Sequence, residues 1–174
     1  MGFLKKVSRL VASENLPVCW TTPKPLNFPV QMMCYKKESK RVKTKMGDSI
    51  IKLSIQSDTD EIDKRKTAQS ICPNLIHSLD ASCLMLAVIK AKDKGVTNFS
   101  LIHDSFGCVA PDVHKLSEAI REAFCEVYEQ DVLTNWAMEM KQMLSDKNAK
   151  KFPHIPERGN LDLSLVKQSI FFCV

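Results

Sequence analysis

Apolar residues recur at helical spacing over the first fourteen positions. Phe3, Leu4, Val7, Leu10 and Val11 share one face, and Lys5, Lys6 and Arg9 fall outside it. An amphipathic helix is expected there, starting at the first residue without a capping segment, as in a chain that begins mid-fold. Pro17, Pro23, Pro25 and Pro29 exclude helix from residues 17–29. Trp20 and Phe28 are expected to anchor that extended stretch, and residues 30–35 read as a short strand. Ile51, Leu53 and Ile55 alternate with Lys52 and Ser54, the pattern of a half-buried strand. With residues 41–46 before it and Gly47-Asp48 between, this predicts a hairpin over 41–55. Asp58-Thr59-Asp60 then reads as the cap of a short polar helix from about Glu61, which stops before Pro73. A second helix over 74–94 carries Leu75, Leu79, Cys83, Leu86 and Ile89 roughly in phase and ends at Gly95, a residue suited to the position just past a helix.

The next segment changes period. Residues 96–102 form an apolar, β-rich run, and 106–110 form another. They predict two strands joined by a tight turn, with His103 and Asp104 held at its tip. Pro111-Asp112 starts a helix with the stripe Val113, Leu116, Ile120, Phe124 and Val127. A further helix, about 132–144, uses Trp136, Met140, Met143 and Leu144. Residues 145–160 are a charged, proline-containing connector. The apolar tail 170–174 is expected to be docked rather than free in solvent. Helices and local hairpins in this order make the fold class α+β.

Composition narrows the class without naming a function. At 174 residues the chain can bury a real core. A hydrophobic fraction of 44% and a charged fraction of 26% are those of an ordinary globular protein. The net charge of +5 is compatible with a polyanionic partner. No apolar run reads as a membrane span of ~20 residues, so no membrane partner is expected. Seven cysteines, an odd number with no CxxC pair, argue against a zinc site or a secreted disulfide framework. They read as reduced, buried fillers, and a cytoplasmic setting is expected.

Two features carry candidate chemistry. An aspartate on a rigid turn, as in Ile102-His103-Asp104-Ser105-Phe106-Gly107, suits metal-assisted phosphoryl transfer, in which a carboxylate holds Mg²⁺ in fixed geometry. Asp-Ser is also ordinary turn chemistry. Residues 36–45 are strongly basic, and lysines such as Lys43 and Lys45 on a hairpin can track phosphates. A solvated edge strand blunted with lysine has the same composition.

Three elements then coincide in order: Pro73-Asn74-Leu75-Ile76-His77-Ser78-Leu79-Asp80, the His103-Asp104 hexapeptide, and Pro156-Glu157-Arg158-Gly159-Asn160-Leu161-Asp162-Leu163 before the aromatic tail. Together they resemble the C-terminal part of the single-subunit, bacteriophage-type DNA-directed RNA polymerases, over essentially the whole chain and most strongly from Ile62 onward. Gly107 leans toward the phage members, since organellar ones tend to carry tryptophan there. The resemblance implies a right-hand fold, with a fingers-side segment over 1–77 and a palm segment with a C-terminal foot over 78–174. It implies that Asp104 is a catalytic palm aspartate holding Mg²⁺, with His103 supporting its turn. It places His77 near the growing RNA–template end and Asp80 at the start of the palm helix. It implies a DNA template, nascent RNA and ribonucleoside triphosphates as partners, in the host cytoplasm for a phage-encoded chain.

The partner aspartate motif and the nucleotide-binding fingers helix of that family are not found in this sequence. The expectation is a C-terminal portion that is inactive without a complementary N-terminal polymerase fragment. The alternative is an orphan polymerase-derived module that binds nucleic acid without catalysis.

Overall fold

A computed structural model describes residues 2–102 and 105–169. In chain order the elements are α1 (Gly2–Ser13), β1 (Val18–Thr21), β2 (Pro29–Met32), β3 (Tyr35–Met46), β4 (Ser49–Ile62), α2 (Lys64–Asp93), β5 (Phe99–Ile102) and β6 (Ser105–Cys108). A 3₁₀ turn (Ala110–Asp112), α3 (Val113–Glu129), α4 (Val132–Met143) and two short helices, α5 (Asp146–Ala149) and α6 (Ser164–Gln168), follow. The six strands form three separate antiparallel hairpins, β1–β2, β3–β4 and β5–β6, among helices. The mixture is α+β, as expected.

Helix α2 organises the rest. Its N-terminus is capped by Asp63, whose carboxylate accepts from the backbone N–H of Arg65 and Lys66, both at 2.9 Å. Its C-terminus closes on Gly95, at φ +88°, where the Val96 N–H reaches the Ala91 carbonyl and the Gly95 N–H that of Lys92. The first half, through Ile71, Cys72 and Leu75, packs into a core with Val7 and Val11 of α1, Val18 and Trp20 of β1, Met32 of β2, and Trp136, Ala137 and Met140 of α4. The second half, through Leu86, Ala87 and Ala91, packs on Leu116, Ala119, Ala123 and Val127 of α3. Ion pairs Lys90–Glu126 at 2.7 Å and Lys94–Glu118 at 2.9 Å line that second contact.

Several local expectations are corrected. The break before Pro73 does not occur: α2 runs unbroken through it. Proline removes one backbone donor and strains one turn, at a cost of ~3 kcal/mol. Burial of Ile71, Cys72 and Leu75 on either side offsets it. Residues 58–62 are strand, not a helix cap, because β4 keeps pairing as far as Asp58 opposite Lys37 and Ile62 opposite Tyr35. The hairpin expected over 41–55 therefore spans 35–62, and the strand expected over 30–35 ends at Met32. Its expected row of Ile51, Leu53 and Ile55 is half-buried only at Ile51: Leu53 and Ile55 are exposed, and Met46 and Ile50 are 73% exposed. The Phe28 ring is 50% exposed and its backbone pairs with Thr22, whereas the Trp20 side chain, at 4%, is buried as an anchor. Of the cysteines, Cys72 and Cys125 are buried, but Cys19, Cys34, Cys83 and Cys108 are only half-buried. Where the sequence suggested no membrane-length run, α2 is long and apolar enough to cross a bilayer by length and composition, with a third of that window buried. Its contacts with α1, α3 and α4 are those of a core helix.

The connector after α4 is tied to α1 by one carboxylate. Glu14 accepts from the Ser145 N–H at 3.0 Å, from Ser145 Oγ at 2.5 Å and from Asn148 Nδ2 at 2.6 Å. The Ser145 side-chain hydrogen bond, followed by the Ser145 backbone one, holds the Glu14 carboxyl below its ordinary value. A carboxylate with a lowered folded value adds stability above its unfolded value and loses it as pH falls through the folded one. Stability is therefore expected to decline below about pH 4.5, the ordinary glutamate value, with a smaller decline in Glu14→Gln. Urea midpoints measured across that range for both proteins check this, and parallel curves would remove Glu14 from the effect.

Candidate functional site

The hairpin β5–β6 positions the motif around Asp104. It pairs Phe99 with Cys108, Ser100 with Gly107, Leu101 with Phe106 and Ile102 with Ser105. Phe106 packs against both clusters of the α2–α3 interface, so the hairpin is seated on the helices at its middle. A Cβ at position 107 would lie 3.3 Å from the Ser100 side chain and carbonyl, so the glycine lets the two strands lie close. His103 and Asp104 lie outside the described residues. Among the described residues no group of three or more His, Cys, Asp and Glu side chains converges to hold a metal ion.

His77 and Asp80 share α2. His77 is exposed and borders a cavity between α2 and the β1–β2 hairpin. Trp20 Nε1 donates to Ser78 Oγ at 2.9 Å and ties β1 to the turn that carries His77. Asp80 is exposed one turn later and faces α3, where burial, and then the charges of Cys83 and Asp80, push the Tyr128 phenol up. The end of α3 is clasped from two sides. Gln130 makes reciprocal hydrogen bonds with the backbone of Lys24, both at 2.9 Å. The Arg158 guanidinium donates to the carbonyls of Glu129, at 2.9 Å, and Tyr128. Sequence reasoning marked the segment 156–163 without assigning Arg158 this contact. A guanidinium opposite a helix C-terminus, whose last carbonyls lack helical partners, is the signal that finds it.

Lys43 and Lys45 lie near the distal end of β3, before the Gly47-Asp48 turn. Gly47, at φ +62°, is the first residue of a two-residue loop, where glycine is favoured. The register sorts the side chains. Lys37 opposite Asp58, Arg41 opposite Ser54, Lys43 opposite Lys52 and Lys45 opposite Ile50 fall on one face. Lys40 opposite Ile55, Val42 opposite Leu53, Thr44 opposite Ile51 and Met46 opposite Ser49 fall on the other. One face of the exposed ribbon is thus cationic and the other largely apolar. Like charges directly opposite, as in Lys43 and Lys52, destabilise a sheet unless an anion lies over them. His77 sits about 20 Å along α2 from its capped end, at 1.5 Å per residue. The hairpin joins α2 at that end, through Ile62 and Asp63, and neither Lys43 nor Lys45 lines the cavity beside His77.

Comparison with known proteins shows the family. A family model for DNA-dependent RNA polymerase matches residues 3–151. "DNA-directed RNA polymerase 2, chloroplastic/mitochondrial" of Arabidopsis thaliana is 39% identical over 172 residues, 99% of this chain and 16% of that protein. "DNA-directed RNA polymerase 1, mitochondrial" of Nicotiana sylvestris is 35% identical over the same shares. "DNA-directed RNA polymerase 1A" of Nicotiana tabacum is 36% identical over 163 residues, 94% of this chain and 99% of that sequence. The chain spans about 16% of the length of the first two relatives. The first two of these relatives carry organellar names, where Gly107 leaned toward phage members, and the expected cytoplasmic setting finds no support in them.

Proposed function

Because this chain belongs to the DNA-dependent RNA polymerase family, we propose that it supplies the C-terminal part of a single-subunit polymerase that joins ribonucleoside triphosphates on a DNA template. The observation that carries this reading is the family match over residues 3–151, which takes in both the His77 segment and the β5–β6 hairpin. Residues 78–174 form the palm segment and foot, and residues 1–77 the fingers side. Asp104 would hold Mg²⁺, and the ion would supply positive charge toward an RNA 3′-hydroxyl and a leaving pyrophosphate. His103 steadies the Asp104 turn. His77 and Asp80 lie along the RNA–template end, and the cationic ribbon face with Lys43 and Lys45 follows backbone phosphates. The setting is an organelle, as the names of the relatives suggest. The remaining polymerase sequence, on a complementary N-terminal polypeptide, completes the site.

The test is reconstitution. The chain mixed with an N-terminal polymerase polypeptide of the family is expected to extend RNA on a DNA template, and the chain alone to be silent. Extension by the chain alone would overturn the need for a partner, and an inactive mixture would overturn the catalytic reading.

The two-faced β3–β4 ribbon favours one second reading, nucleic-acid binding without catalysis. Under either reading the double variant Lys43→Gln/Lys45→Gln is expected to weaken DNA binding and to lower the slope of log K against log salt by about 2. Fluorescence anisotropy over a salt series reads this. An unchanged slope would remove these two lysines from the interface.

A further inference from the structure

Beside His77 lies a recess with no role in the reading so far. A cavity of about 440 Å³ opens between β2 and α2, within the size range of clefts that hold small ligands. Trp20 and Met32 are buried and form its floor. Gln31, Met33, Asn74 and His77 are exposed and form its rim. Asn74 and His77 are three residues apart and so share one face of α2. The floor is held by the Trp20 to Ser78 hydrogen bond.

The rim chemistry selects the class of ligand. Among the described residues the lining includes no carboxylate, lysine or arginine, and its one titratable group is His77. A phosphate therefore finds little fixed countercharge inside. Gln31 and Asn74 present planar amides, each both donor and acceptor, which is the pairing chemistry of a base edge. Their nitrogens now point at thioether sulfurs: Asn74 Nδ2 lies 3.1 Å from Met32 Sδ, and Gln31 Nε2 lies 3.8 Å from Met33 Sδ. Thioether sulfur is a weak acceptor, so a carbonyl oxygen or ring nitrogen of a ligand displaces it at little cost. Met33 and Val30 supply apolar sides for a flat ring above the floor of Trp20 and Met32.

We propose that this recess is a nucleobase site. It seats the base and ribose of one unstacked nucleotide of a single strand, with Gln31 and Asn74 hydrogen-bonding its edge and the phosphates left outside. The proposal rests on the polymerase reading above and adds residues which that reading does not use.

Tryptophan indole signals of the isotope-labelled chain, titrated with a short single-stranded RNA, test it. The chain has two tryptophans, Trp20 and Trp136, and Ser78→Ala identifies the Trp20 signal through its lost hydrogen bond. The expected result is a saturable shift of the Trp20 signal with Trp136 unmoved, and RNA binding at least about fivefold weaker in Asn74→Ala and in Gln31→Ala. An abasic strand of equal length is expected to bind without moving Trp20. Bound RNA that leaves Trp20 unmoved overturns the recess and returns it to packing against protein. If templated extension is restored in reconstitution, that result sinks the recess alone. Failure of extension sinks the polymerase reading independently of the indole signals. RNA that does not bind the chain at all also overturns the recess.

Discussion

Asp104→Asn, in a polymerase reconstituted from this chain and a complementary N-terminal polypeptide, is expected to lower RNA extension by about 10³-fold or more while leaving assembly intact. Asparagine keeps the shape of aspartate and removes its charge. Magnesium demands hard, anionic oxygen donors and near-ideal octahedral geometry. Its contribution to a phosphoryl transfer is several kcal/mol, and each factor of ten in rate is about 1.4 kcal/mol. The isosteric exchange should not disturb Phe106, whose packing on α2 and α3 seats the hairpin. Extension on a primed template reads the rate, and co-elution of the two polypeptides reads assembly. Full activity in the variant would remove Asp104 from the metal site. Loss of assembly would show a structural role instead.

Trp136→Ala is expected to cost about 3–5 kcal/mol of folding stability, the usual range for a buried aromatic truncated to alanine. Trp136 is 2% exposed in the core shared by α1, α2 and α4, and the Phe3 ring meets it edge-on at 6.2 Å. Since domains of this size are stable by roughly 5–15 kcal/mol, one such change removes a large share. Its indole N–H is buried with no hydrogen-bond partner among the described residues. Trp136→Phe therefore removes an unsatisfied donor along with some volume and should cost clearly less than the alanine variant. Phe28→Ala, at a half-exposed ring, should change stability by no more than about 0.5 kcal/mol. Urea unfolding of the three variants gives the order. Equal losses at positions 28 and 136 would contradict the assignment of the core.

What could be read from the sequence was local. The stripe of α1, the cap role of Gly95, and the two strands around residues 103–104 depend on neighbours within a few positions, and each matches its expected element. Long-range pairing was hidden. Asp58, Thr59 and Asp60 look like a helix cap because the strand they lie along is more than twenty positions earlier, with Lys37 opposite Asp58 and Tyr35 opposite Ile62. Pro73 looked like a stop because its cost is local, whereas the burial that outweighs it comes from α1, β1 and α4. The same holds at the site. His77 and Asp80 were visible as part of a motif, but the recess beside His77 was not. Trp20 and Ser78, whose hydrogen bond holds its floor, are 58 positions apart. Lys43 and Lys45 were visible as a charge run. Their placement on one face opposite an apolar one needed the β3–β4 register. The Asp104 chemistry came from the motif alone, since that residue lies outside the described part of the structure.

The unbroken course of α2 through Pro73 has a mechanical consequence. Thirty residues of helix make a strut about 45 Å long at 1.5 Å per residue. One end carries the root of the cationic ribbon, through Ile62 and Asp63. The other passes through Gly95 and Val96 into β5. Both halves are gripped by packing, the first by α1 and α4 and the second by α3. The ribbon and the β5–β6 hairpin are thus set at opposite ends of one continuous rod, and the helix length fixes how far apart they stand.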